Sequence, residues 1–268
     1  MLEIVQTKKA EVAFAKQQLP LEQLREMAAQ APVSARSMSA ALSSSRSGII
    51  AEFKRKSPSK GWIHADAQCT EVVPAYAAGG ASAISILTDE PYFGGSMDFV
   101  RAARPLVPDT PILRKDFIID GYQLLQARLI GADAVLLIAA CLEVEQCRTL
   151  AAQAHELGLE VLLEVHSVQE LEHICQGVDM VGVNNRNLGS FHTDVNNSFR
   201  IAQALQEAVG RRTSGHMPVL VSESGISDPS TVRQLRDCGY RGFLMGENFM
   251  KNADPGASLA AFVKDVEA

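Results

Sequence analysis

GADAVLLIAACLEVEQCRTLAAQAHELGLEVLLEV, residues 131–165, places a short apolar run, a helical stretch and a second apolar run in direct succession. AVLLI (134–138) and EVLLEV (160–165) are too brief for helices and rich in branched aliphatic residues, so they read as buried strands. Between them, LEVEQCRTLAAQAHELG has helical text and ends on glycine, a residue that closes helices in a left-handed turn. Strand, helix and strand in that order form one unit of a parallel sheet.

The same unit recurs in both directions. Upstream lie IIAEF (49–53), AISIL (83–87) and ILRKD (112–116); downstream lie MVGVNN (180–185), VLVSES (219–224) and GFLMGE (242–247). EVVPAYAAG, YQLLQARLIG, VQELEHICQG, FRIAQALQEAVG and STVRQLRDCG supply helical text between them. Eight units at a mean spacing of about 28 residues predict an α/β chain folded as a (β/α)8 TIM barrel. A doubly wound open sheet is the alternative, but no dinucleotide-binding glycine fingerprint is present to favour it. The reading is one domain over 1–268, with the barrel in 49–268 and a helical extension in 1–48. In that extension 2–18 is helical up to Pro20, and LEQLREMAAQA is amphipathic up to Pro32. VSARSMSAALSSSRSG reads as a surface connection with at most a short helix. These helices either pack against the barrel or form a lid over a site.

Composition narrows the function. The chain has 268 residues, 47% hydrophobic and 21% charged, which is ordinary for a globular protein. With 25 basic against 31 acidic residues the net charge is -6, so a general nucleic-acid-binding face is not expected. No apolar run approaches a membrane span, and the N-terminus lacks the apolar core of a signal peptide. Five scattered cysteines form no CxxC pair, which speaks against structural zinc and a disulfide framework and fits a reducing cytoplasm. The six histidines have no metal-ligand spacing, so no metal is expected. Oligomeric state is not legible.

In a barrel of this kind the site lies where the strands end. The first strand ends in Glu52 and Lys54, the third in Lys115, the fifth in Glu164, the sixth in Asn184 and Arg186, and the seventh in Ser222, Glu223, Ser224 and Gly225. Residues two apart share a face, which pairs Glu52 with Lys54, Asn184 with Arg186, and Lys115 with Leu113 and Phe117. One such charge reads equally well as a strand end in solvent. Charged groups at five strand ends that converge on one mouth read as a site, because burying them is costly without a partner or a task. After the last two strands, SESGI and MGEN each place a glycine, Gly225 and Gly246, where barrels often bind phosphate. Cys141 reads as a rim residue, not a nucleophile.

IIAEFKRKSPSKGWI (49–63) carries Glu-apolar-Lys followed by Ser-Pro-Ser, and it closely resembles the signature of the indole-3-glycerol-phosphate synthase family. SILTDEPYFGGS, LRKDFIID, GADAVLLIAACL, LEVLLEVH, VGVNNRNL, VSESGI and GFLMGENFM resemble later segments of that family, in order and over essentially the whole chain. The resemblance implies a cofactor-free lyase of tryptophan biosynthesis. Its substrate would be a phosphorylated small molecule, 1-(2-carboxyphenylamino)-1-deoxyribulose 5-phosphate. It further implies that Lys115 is the main general acid, that Glu164 is an acid/base, that Glu52 and Lys54 complete the set, and that Asn184 and Arg186 orient the reacting atoms. Ser57, Ser224, Gly225, Gly246 and the amide of Glu247 would hold phosphate. Pro58, Phe93, Phe117, Leu188 and Met245 would form an apolar pocket for the aromatic ring. Many members have serine where this chain has Glu247. A carboxylate repels phosphate, so the Glu247 side chain is expected to turn away while its N–H serves. Rival readings are a different sugar-phosphate barrel, such as an isomerase or epimerase, and a non-catalytic metabolite-binding barrel.

Overall fold

Each of the eight apolar runs becomes a parallel strand: β1 (Ile49–Phe53), β2 (Ala83–Leu87), β3 (Ile112–Lys115), β4 (Ala134–Ile138), β5 (Glu160–Val165), β6 (Met180–Asn184), β7 (Val219–Glu223) and β8 (Gly242–Met245). The structure, a computed structural model, describes residues 2–33, 36–187, 192–212 and 217–268. Every strand pairs with its neighbours in sequence, and β1 closes on β8 with Ile49, Ile50 and Ala51 beside Phe243, Leu244 and Met245. The result is a closed barrel, which leaves no sheet edge.

Burial on both faces explains why the strands read as continuous apolar runs. One face, with Ile49, Val135, Leu163, Val181 and Phe243, packs against the surrounding helices. The other, with Ile50, Leu113, Leu136, Leu162, Val221 and Leu244, fills the barrel interior. The surrounding helices are α4 (Cys69–Ala78), α5 (Glu90–Phe93), α6 (Met97–Ala103), α7 (Gly121–Ile130), α8 (Val144–Glu156), α9 (Asn196–Arg212), α10 (Pro229–Asp237), α11 (Glu247–Met250) and α12 (Pro255–Glu267). The helix expected in VQELEHICQG is instead a single 3₁₀ turn, Gln169–His173. There Leu171 and His173 are buried, and the His173 ring bonds the Leu142 carbonyl, so the segment is pulled onto the barrel before a longer helix can form.

The extension forms α1 (Leu2–Gln18), α2 (Leu21–Gln30) and α3 (Met38–Ser44). The alternatives left open by the sequence are divided between them. α1 lies across the mouth: Ile4 lines the cavity there, and buried Lys8 reaches Asp89 and Asp116 at 3.0 Å each, on the connections after β2 and β3. α2 packs on α7 through Leu24, Ala28, Tyr122 and Leu125. α3 corrects the expected surface connection. Its Met38 and Leu42 are wholly buried among the interior residues and stopper the base of the barrel. The Glu160 carboxylate, at the start of β5, accepts from the Met38 and Ser39 amides at 2.6 and 2.9 Å. A negative charge at a helix N-terminus satisfies donors that the helix itself cannot.

Candidate active site

Alternation along the strands aims polar groups into the mouth. Glu52, Glu164 and Glu223 end inward-facing rows and are almost completely buried. Lys54 Nζ lies 2.6 Å from Glu52 Oε1. Lys115 Nζ lies 2.9 Å from Glu164 Oε2 and 3.7 Å from Glu223 Oε2. Two glycines make room for the acids. A Cβ on Gly182 would stand 2.0 Å from Glu223 Oε1, and one on Gly246 would stand 2.6 Å from Glu52 Oε1.

Three carboxylates face two lysines here, and the titration follows from that imbalance. Burial works against the Lys115 ammonium, but Glu164, Glu223 and Glu52 outweigh it and hold the pKa above the usual lysine value. Burial likewise works against the Glu164 carboxylate, and Lys115 and His166 reverse this, so its pKa falls below the ordinary range. Glu223 is the acid left over: burial and then the neighbouring Glu164 push it up to about 8, with Lys115 opposing. At neutral pH the pocket therefore holds an ammonium, a carboxylate and a carboxylic acid side by side.

His166 stands behind Glu164, its Nε2 3.2 Å from Glu164 Oε1 and its Nδ1 3.3 Å from Glu170 Oε2. Burial lowers its pKa, and the two carboxylates more than reverse that, raising it to about 9. Sequence reasoning gives His166 no place in the site and places Glu223 at a strand end without a role, although Val219, Val221 and Glu223 share the inward face.

The cavity over these groups has a volume of about 130 Å³. Lys54, Ser57, Pro58, Phe93, Lys115, Phe117, Asn184 and Arg186 line it together with the three acids. The Phe93 and Phe117 rings lie 6.1 Å apart, tilted by 43°, and form its apolar wall. Asn184 Oδ1 accepts from the Arg186 amide at 3.0 Å. Met245 is not part of this wall. Its parity on β8 turns it outward into the layer beneath the helices, and Leu244 faces the cavity instead. Leu188 lies outside the described residues. Cys141 is half-buried and its thiol is pushed up to about 12 by burial, so it is no thiolate nucleophile.

A second recess, of about 490 Å³, opens beside the first, and Glu52, Lys54, Arg186, Ser224 and Leu244 line both. Gly225, Gly246 and Glu247 line it as expected; Ser57 does not. The Ser57 hydroxyl is buried on the catalytic side without a protein partner, and Ser59 and Lys60 reach the recess in its place. Ser224 has φ 70° and Gly225 φ 79°, and Ser224 is the only non-glycine residue in the left-handed region among the described residues. Strain of that kind collects at binding sites. Glu247 departs from expectation. Its carboxylate lines the recess and pairs with Lys60 at 2.5 Å and Arg186 at 3.6 Å. Those two cations hold it there by charge attraction.

A larger cleft, about 1120 Å³, lies where α2, α7 and α8 meet, away from the mouth and its convergent charges. Among the described residues no cluster of His, Cys, Asp and Glu is arranged to hold a metal ion, and no helix is long and apolar enough to cross a membrane.

The family model for indole-3-glycerol phosphate synthase matches residues 1–262. The indole-3-glycerol phosphate synthase of Bacteroides thetaiotaomicron is 59% identical over 265 residues, covering 99% of this chain and 98% of that protein. The enzyme of the same name from Laribacter hongkongensis is 42% identical over 262 residues, 96% of each chain. A solved structure, KGPDC from Streptococcus mutans, superposes with a TM-score of 0.58 at 12% identity, over 82% of this chain and 96% of its own, a likeness of fold alone.

Proposed function

Because the chain belongs to the indole-3-glycerol phosphate synthase family, we propose a division of labour at its mouth for that reaction. The enzyme is a decarboxylating lyase of tryptophan biosynthesis. It converts 1-(2-carboxyphenylamino)-1-deoxyribulose 5-phosphate to indole-3-glycerol phosphate, carbon dioxide and water. The observation that carries the division is the position of Lys115, held between two acids in the cavity that Phe93 and Phe117 wall.

The anthranilate ring packs on Phe93, Phe117 and Pro58, and the phosphate enters the recess bounded by Ser224, Gly225, Gly246 and the Glu247 amide. The reacting carbonyl is then directed at Lys115. As the ring carbon that bears the carboxylate attacks this carbonyl, a carbon–carbon bond forms and Lys115 delivers a proton to the oxygen, which becomes a hydroxyl. A fixed ammonium among buried groups stabilises the developing oxyanion far better than water does. The carbon–carboxylate bond then breaks, carbon dioxide departs, and its electron pair restores the aromatic ring. Loss of the hydroxyl as water needs one more proton and leaves one to be removed. Glu164, poised between Lys115 and His166, exchanges these protons, and Glu223 holds a proton in reserve. Lys54, paired with Glu52, faces the substrate carboxylate, and Asn184 and Arg186 fix the ribulose chain.

The five cysteines are not joined by disulfides, which favours a reducing cytoplasm on this reading. The direct test is growth of indole-type fluorescence when the carboxyphenylamino-deoxyribulose phosphate is added to the pure protein. Ribulose 5-phosphate, which lacks the ring, binds much more weakly than indole-3-glycerol phosphate on this reading. Equal affinities would favour an isomerase-type site.

A further inference from the structure

The second recess carries Lys54, Lys60, Arg186 and Lys251 on its walls and two carboxylates of its own, Glu52, paired with Lys54, and Glu247. Glu247 Oε1 lies 2.5 Å from Lys60 Nζ, and its Oε2 lies 3.6 Å from Arg186 Nη2. Arg186 Nη1 in turn donates to Ser59 Oγ at 2.8 Å. Lys60 and Ser59 sit in the tip of a small hairpin in which Lys56–Ser57 pairs with Gly61–Trp62. One carboxylate and one guanidinium therefore tie the loop after β1 to the loop after β6 and to the start of α11.

This tie is built to be exchanged. The Lys60 side chain is 57% exposed and that of Glu247 28%, and ion pairs so open to water are weak. A phosphate dianion brings more charge and three strong acceptor oxygens to the same cations. Two anions do not share the recess cheaply, since like charges at short range repel. We propose that Glu247 is an internal competitor for the substrate phosphate: it occupies Lys60 and Arg186 until a phosphate displaces it, and so sets how strong an anion must be to enter. Glu247 is thereby a specificity-determining residue, and its displacement frees the hairpin tip from α11 as phosphate arrives. The inference rests on the recess being the phosphate site.

The test uses inorganic phosphate as the probe on the whole chain, followed by calorimetry and by the fluorescence of Trp62. Trp62 is the chain's one tryptophan and is half exposed on that hairpin. Glu247→Gln and Glu247→Ser should bind phosphate roughly tenfold tighter than the parent, a change of about 1.4 kcal/mol. Two variants guard against a fault peculiar to either, and circular dichroism reports their folding. Lys60→Met should weaken phosphate binding and shrink the gain from Glu247→Gln, since the competitor has then lost its main partner. The parent should show a Trp62 response to phosphate that both Glu247 variants lose. A phosphate affinity within twofold of the parent in both Glu247 variants, or a weaker one, overturns the competition while the phosphate site stands. No phosphate binding in the parent or in any variant overturns the site, and the competition with it.

Discussion

Lys115 keeps its charge in a pocket where burial alone would remove it, because Glu164, Glu223 and Glu52 surround it. If it protonates the carbonyl, Lys115→Met removes both proton and charge. Turnover should fall by roughly 10²–10⁴-fold, about 3–5 kcal/mol of barrier, in single-turnover measurements. Product affinity should change far less, because ring and phosphate are held elsewhere. Lys60→Met, at the rim, should slow the chemical step much less than this. Near-normal turnover in Lys115→Met would move the acid's role to Lys54. Glu223 gives a second prediction, in pH. Burial and the neighbouring Glu164 raise its carboxyl from the ordinary 4.5 to about 8 in the folded protein. Between those values the folded state holds a proton that the unfolded chain has released, so stability falls as pH rises. Glu223→Gln lacks that slope. Denaturation at pH 5 and pH 8 should show the stability of the variant rising relative to the parent, by an amount on the order of 3 kcal/mol. A constant difference between the two pH values would contradict the raised pKa.

Strands make the place of the candidate site legible, and strand parity explains which of its residues the sequence points to and which it does not. The runs were recognisable because burial on both faces leaves little in them but branched aliphatic residues, and the charges at their ends stood out against that background. Parity then points Glu52, Lys115 and Glu164 inward, and it points Leu244 inward in preference to Met245. Met245 was placed in the ring pocket by resemblance, against its own parity. His166 was harder to read, because it lies one step past the end of β5, where alternation no longer applies. Gly182 looks like a weakness inside β6, yet it is the floor beneath Glu223. Gly182→Ala would place a methyl 2.0 Å from Glu223 Oε1. Either the carboxyl or the strand must move, and overpacking of this kind typically costs about 1–3 kcal/mol. Activity should fall by more than the loss of stability accounts for, because Glu223 is driven toward Lys115. Melting temperature and turnover measured together separate the two effects, and an unchanged turnover would mean that Glu223 stays clear of the reaction.

At the scale of the molecule, the extension is what turns an open tube into a vessel. α1 roofs the mouth, one of the two alternatives that the sequence leaves open, and α3 plugs the base, a role the text does not show. Met38 and Leu42 give only one helical turn of apolar signal within a serine-rich stretch. Lys8 reads as one more surface charge until Asp89 and Asp116 are seen beneath it. Asp116 stays ionised down to about 2: burial raises its pKa, and Arg114 and Lys8 overcome that. Lys8→Met leaves two buried carboxylates short of a cation, with an expected loss of about 3 kcal/mol in chemical denaturation. Because Asp116 adjoins Lys115, and Ile4 of the same helix lines the cavity, substrate KM should rise as well. Lys8→Arg should recover most of both, and failure of the arginine to rescue either would point to packing, not charge. The seam between β1 and β8 has a temporal consequence. Ile49, Ile50 and Ala51 find their partners in Phe243, Leu244 and Met245, 194 residues further along the chain. Without β8, β1 has one free edge, the plug has no finished tube to fill, and Glu52 lacks the glycine that makes room for it. β8 and Gly246 just after it supply that edge, that wall and that glycine together, so closure of the barrel and completion of the site are one event.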